Sequence, residues 1–198
     1  MIQLTLPGFD SRPPAAEHRF FFATMPDAET ATRLAGIARQ LHGGKPPKSA
    51  VLREERLHVT LYPLGDFAYV PGATLARACA AAGRIDAPPL RVTFDEVVSF
   101  NGRPGHCPLV LAGSAGLHAL IAFQQRLRVA LGEAGLRVSS TRFTPHVTLL
   151  YGERRLGRYT IEPISWTVFD FVLIHSWLGR THYDVIGHWP LTARSPAG

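Results

Sequence analysis

Apolar positions fall in short runs whose period changes along the chain. From His18 to Thr24 the run is almost unbroken and reads as a buried strand. A helical period then follows to about His42, with Asp27 as its N-cap and Leu34, Ile37, Ala38 and Leu41 as its buried stripe. Gly43 and Gly44 stop this helix, and Lys45-Pro46-Pro47-Lys48 reads as a loop. Leu57 to Leu64 is predicted as a strand, 72–82 as a short alanine-rich helix and Leu90 to Phe100 as a long strand. Asn101-Gly102 signals a turn into a return strand from Cys107 to Ala112. Leu117, Leu120, Ile121, Gln124, Leu127 and Leu131 recur at helical spacing, with Gln124 the one polar break. Strands are predicted near 145–151, 164–176 and 182–191, the last two as a hairpin around Leu178-Gly179-Arg180.

The elements do not alternate strand and helix steadily, so an α+β fold with antiparallel sheets is expected rather than a doubly wound parallel sheet. Residues 1–17, with three prolines, are expected to form a loose arm, 18–192 a single domain of two lobes and 193–198 a tail.

With 46% hydrophobic and 18% charged residues in 198, the chain can bury a sizeable core, which excludes a chain disordered throughout. No apolar run reaches the roughly 18 residues of a membrane helix, and the N-terminus lacks the pattern of a secretory signal. Cys79 and Cys107 have no metal-binding or redox spacing and are expected to be reduced thiols. Together these features predict a cytoplasmic protein without membrane attachment. The formal net charge of +6 comes largely from arginine, whose planar fork suits phosphate. It is spread along the chain and does not by itself identify a nucleic-acid surface.

One tetrapeptide occurs twice without change. His58-Val59-Thr60-Leu61 lies in the first half and His146-Val147-Thr148-Leu149 in the second, with the histidines 88 positions apart. On a strand, His and Thr share one face while Val and Leu share the other. The apolar pair can anchor each strand in a core while the polar pair faces a cleft. Two halves related by a pseudo-two-fold axis would bring both His-Thr pairs to one place. Such a site suits phosphodiester chemistry. One imidazole can deprotonate an attacking water and the other protonate the leaving oxygen, because histidine titrates near neutrality. Threonine hydroxyls can donate to the non-bridging oxygens as charge develops there. A single H-x-T motif carries little weight, but a core has no reason to place histidine twice in the same setting.

These residues resemble the 2H phosphoesterase superfamily, and within it the RNA 2′,3′-cyclic phosphodiesterases, also called 2′-5′ RNA ligases. The resemblance runs from Arg19-Phe20-Phe21-Phe22-Ala23 and Pro26-Asp27 through Leu57 to Leu61, Leu64-Gly65 and Phe143 to Leu149. It closes on Leu173, Ser176, Leu178, Gly179, Tyr183 and Trp189-Pro190-Leu191. It implies a bilobal fold of two antiparallel sheets with helices on the outer faces and a central cleft, and it implies no metal or other cofactor. It further implies that His58 protonates the departing 3′ oxygen, that His146 activates water and that Thr60 and Thr148 bind phosphate. The product would carry a 2′-phosphate, and the reverse reaction would make a 2′-5′ linkage. The two identical motifs do not themselves assign acid and base. The expected partner is RNA or a nucleotide ending in a 2′,3′-cyclic phosphate, bound by a monomer. Alternatives are a sister activity on ADP-ribose cyclic phosphate or 2′-5′ oligoadenylate, and a nucleotide- or RNA-binding module without turnover.

The chain departs from the family pattern at Val51, where a tryptophan is common, and at Tyr62-Pro63 after the first motif. After the second motif, Tyr151-Gly152-Glu153 precedes Arg154 and Arg155, where an arginine often comes sooner. Tyr62 and Tyr151 are candidate stacking platforms for a base, and Arg142 and Arg154 are candidate phosphate or RNA contacts. His175, His182 and His188 lack ligand-like spacing to acidic or thiol residues and predict no metal site.

Overall fold

The computed structural model describes residues 14–41, 51–113, 115–153, 155–180 and 182–192. Eight strands and three α-helices follow one another as β1 (His18–Thr24), α1 (Ala28–Leu41), β2 (Val59–Phe67), α2 (Gly72–Ala82), β3 (Leu90–Ser99), β4 (Cys107–Ala112), α3 (His118–Glu133), β5 (Val147–Gly152), β6 (Tyr159–Val168), β7 (Asp170–Trp177) and β8 (Tyr183–Pro190). The expected α+β class is what the chain adopts. Candidate loop 45–48, the tail 193–198 and most of the arm lie outside the described residues.

The strands form one sheet in the order β6-β3-β4-β5-β2-β1-β7-β8, with antiparallel pairing throughout. The two sheets expected from the sequence are therefore two halves of a single sheet. They join at β2 and β5, which pair in register at Val59 and Val147. Each motif thus enters one of the two central strands, at the seam.

The predicted strand 164–176 is two strands. β6 pairs with β3 in one half, while β7 pairs with β1 in the other. Between them Phe169 is 64% exposed, where the chain passes from one half to the other. An unbroken apolar pattern hides this break. Pro163 is tolerated in β6 because that strand is an edge, where a missing N–H costs no ladder bond.

All three helices contribute to one core on one face of the sheet. Leu34 and Ala38 of α1, Ala78 and Ala81 of α2, and Leu120, Leu127 and Leu131 of α3 pack with Phe22, Leu61, Phe94, Leu111, Leu149 and Leu173. Asp27 caps α1 as expected, its Oδ1 accepting from the Thr30 N–H at 2.8 Å, and this bond holds its carboxyl below the usual range. Gln124 is buried within the α3 stripe. The opposite face carries a smaller cluster of Phe21, Ala23, Val172 and Ile174 beside Tyr183, and the cleft. The β7–β8 turn falls at Leu178-Gly179-Arg180 as predicted, with Gly179 at φ +77°, a backbone state that favours glycine. Among the described residues no helix is long and apolar enough to cross a membrane.

Candidate active site

Alternation on β2 and β5 places the motif residues as the sequence suggests. Val59, Leu61, Val147 and Leu149 are buried in the core, at 0–1% exposure. His58, Thr60, His146 and Thr148 are half-buried and line one cavity of about 1020 Å³. That volume is at the upper end of small-molecule sites and has room for a nucleotide with a neighbour.

Both imidazoles are held by the same local device. Nδ1–H of His58 donates to the Arg56 carbonyl at 2.7 Å, and Nδ1–H of His146 donates to the Thr144 carbonyl at 2.8 Å. A carbonyl only accepts, so Nδ1 carries the proton and Nε2 is left for chemistry. Aromatic walls steady the rings. Phe21 and Tyr183 have centroids 5.0 and 5.7 Å from His58, and Phe100 is 4.9 Å from His146. Desolvation among these groups is the main reason the His58 pKa falls from 6.5 to about 4. The Arg56 carbonyl opposes that fall, while the charges of His146 and Arg56 add to it. The repulsion from His146 means that the two motifs share one electrostatic environment.

A second shared feature is not legible in the sequence. On β2, Phe22 pairs with Tyr62 and Ala23 with Thr60, so Leu61 is an extra residue in a β-bulge. On β5, Leu109 pairs with Leu150 and Val110 with Thr148, so Leu149 is extra in the same way. Each bulge follows its threonine and reverses the facing of the residues next in its strand, on β2 as far as a second irregularity at Leu64. Strict alternation would send Tyr62 into the cleft. The bulge instead turns it to the helix face beside Phe22, where it is 5% exposed. Its hydroxyl accepts from the Ser139 N–H at 2.9 Å. Tyr62 therefore does not line the cavity, and Pro63 does. By the same reversal Tyr151 comes to the cavity, stacked on His106 with centroids 4.1 Å apart and planes at 7°.

The other sequence candidates are scattered. Arg142 is exposed and lines a separate cavity with Gln124, Arg128 and Phe143. Arg154 lies outside the described residues, and Arg155 is exposed. His182 and His188 make side-chain pairs with Asp184 at 2.7 Å and Asp170 at 2.9 Å, while His175 meets His18 at 3.0 Å. Among the described residues no three His, Cys, Asp or Glu side chains gather as a metal set.

The profile of the 2′-5′ RNA ligase superfamily matches residues 4–177. The chain belongs to that superfamily. It is similar to the crystal structure of E. coli LigT in apo form, with 28% identity and a TM-score of 0.68 over 90% of this chain and 99% of that one. It is likewise similar to E. coli LigT complexed with 3′-AMP, with 28% identity and a TM-score of 0.67 over 89% and 99%. The structure of TT0787 of Thermus thermophilus shares the fold, at 22% identity and a TM-score of 0.71 over 89% and 100%. No curated relative matches significantly by sequence.

This member of the 2′-5′ RNA ligase superfamily surrounds its His-Thr pairs with residues the sequence does not single out as site residues. Arg19, Phe21, Arg56, His106, Trp177 and Arg180 all line the cavity. One signal is available for Arg19 and Phe21. A charged residue inside the apolar run of β1 marks the face that is not core, and Phe21 is two positions on. Among the described residues three arginines line the cavity against one carboxylate, Asp66, whose Oδ1 and Oδ2 already accept from Arg19 at 2.6 and 2.7 Å. The net field favours an anion.

Proposed function

We propose that the protein opens 2′,3′-cyclic phosphates at RNA ends or on nucleotides, without a metal, by acid–base catalysis between His58 and His146. The observation that carries this reading is that both His-Thr pairs line one arginine-bearing cavity, each imidazole held with Nε2 available. The E. coli LigT complexes with 3′-AMP and with phosphate support a nucleotide phosphate as the occupant.

In the proposed reaction, one imidazole takes a proton from water as the water oxygen bonds to phosphorus. The P–O3′ bond breaks, and the other imidazole delivers its proton to O3′. The product is a 2′-phosphomonoester, and the same path with a 5′-hydroxyl in place of water joins ends through a 2′-5′ linkage. Thr60 and Thr148 donate hydrogen bonds to the non-bridging oxygens. Thr60→Val and Thr148→Val are each expected to lower kcat by about 10²-fold with little change in KM, as for loss of one oriented oxyanion donor. Steady-state kinetics on a cyclic nucleotide check this.

Resemblance makes His58 the acid and His146 the base. The depressed pKa of His58 favours the opposite division in the free protein, since an imidazole that stays neutral at pH 7 is ready to accept a proton. With His58 as the base, the lower limb of the pH profile belongs to it. Because its pKa is lowered, it stays neutral as pH falls through 6.5 and protonates only toward 4. The acid limb of kcat/KM is therefore expected near pH 4. A bound phosphate anion stabilises the imidazolium, so the acid limb of kcat should lie higher than that of kcat/KM.

Purified protein with chelator should open a 2′,3′-cyclic nucleotide. A panel adding ADP-ribose cyclic phosphate and 2′-5′ oligoadenylate ranks the substrate classes. Binding of a 2′-phosphonucleotide without turnover on any member would leave a binding module instead.

A further inference from the structure

We propose that Arg56 is a specificity-determining residue of this site, its guanidinium being the cation that grips an anionic phosphate of the substrate. The inference rests on the nucleotide-phosphate reading above and adds a residue to it.

Arg56 ends a short 3-10 turn, Glu54–Arg56, held by its own N–H donating to the Arg53 carbonyl at 2.9 Å. Leu57, next in the chain, is fully buried and anchors the turn. The Arg56 carbonyl accepts from His58 Nδ1–H, and its guanidinium carbon lies 4.4 Å from the centroid of the Tyr183 ring. Backbone and side chain are thus both fixed at the edge of the cavity that holds the two His-Thr pairs.

This guanidinium has no anion among the described residues. Arg19 is neutralised by Asp66 and Arg158 by Glu96, but no carboxylate is paired with Arg56. Its Nε is buried and has no hydrogen-bond partner among the described residues. A buried N–H left unmade, on a charged group, is costly, and native proteins rarely leave one without a purpose. The Tyr183 ring face compensates part of the charge but takes no in-plane hydrogen bond. Its terminal nitrogens, too, have no acceptor shown among the described residues, and a phosphate in the cavity that Arg56 lines supplies acceptor oxygens to them. Arg180, by contrast, is exposed and rests over Trp177 at 5.3 Å, and it has no comparable deficit.

The phosphate could be the reacting one or a neighbouring phosphodiester, and the probes separate these. The full chain is titrated calorimetrically with a nucleoside 2′-monophosphate and with a dinucleotide ending in a 2′-phosphate. Arg56→Met is expected to weaken at least one by about 10- to 100-fold, the range of charge-assisted hydrogen bonds, and Arg56→Lys by less. Equal losses on both probes assign the terminal phosphate, and loss on the dinucleotide alone assigns its neighbour. The thermal midpoint of unliganded Arg56→Met should not fall, since a half-buried cation whose buried Nε–H has no partner among the described residues is removed. Should it fall steeply, Arg56→Gln replaces it with the same expected loss. Removing the charge should also move the acid limb of kcat/KM upward, because Arg56 repels a proton from His58. Unchanged affinity for both probes overturns the proposal, as does failure of the wild-type protein to bind either. Arg56-dependent binding without turnover would leave it standing while refuting the hydrolytic reading.

Discussion

His58→Ala and His146→Ala are each expected to lower kcat/KM for cyclic-phosphate opening by about 10²–10⁴-fold, the usual worth of one positioned proton transfer. The fold should survive, because both rings face the cavity while Val59 and Val147 hold the strands in the core. The double variant should fall by much less than the product of the two losses, since groups acting on one phosphorus work as a unit. A substrate with sulfur at the leaving bridging position separates the roles, because a thiolate departs without a proton. Most of the rate should return in the variant lacking the acid and none in the variant lacking the base. Matching circular dichroism and melting curves exclude unfolding as the cause. Wild-type rates in either single variant would remove that histidine from the chemistry.

The largest expected loss of stability is at Phe171. This side chain is fully buried, with ring centroids of Phe22, Phe123 and Trp189 at 6.1, 5.1 and 5.3 Å. It joins β1, α3 and β8 through the first residues of β7, where the chain has just crossed from one half of the sheet to the other. Phe171→Ala removes these contacts and leaves a cavity between elements that cannot easily close on it. A destabilisation of about 3–5 kcal/mol is expected, a large part of a domain's usual stability. Urea unfolding followed by fluorescence measures it. A loss below about 1 kcal/mol would mean that the ring cluster does not hold the two halves together.

The candidate site is legible because its motif is written twice and on a simple period. H-V-T-L on a strand separates polar from apolar residues with no knowledge of the partner strand, and duplication removes the ordinary reading of a stray histidine. Asp27, the α3 stripe and the Gly179 turn are legible for the same reason, since each signal is local. What stays hidden is long-range. Leu61 and Leu149 look like regular members of an alternating strand, and only pairing with β1 and β4 reveals the bulges. Alternation therefore points Tyr62 into a cleft it does not reach, while Tyr151 reaches it through the bulge. Phe169 looks like core because its neighbours are. Arg56 carries no motif, and its interest comes from what surrounds it in space. Both Nδ1 anchors go to backbone carbonyls, which every residue has, so no residue type could announce them.

The central claim is tested most directly by opening an oligonucleotide that ends in a 2′,3′-cyclic phosphate, in ¹⁸O-water with chelator present, and analysing the product by mass and phosphorus NMR. The expected product is a 2′-phosphomonoester carrying one ¹⁸O on phosphorus, formed by the wild-type protein and lost in both histidine variants. A 3′-phosphate, or ring opening that persists without His58 or His146, would contradict it.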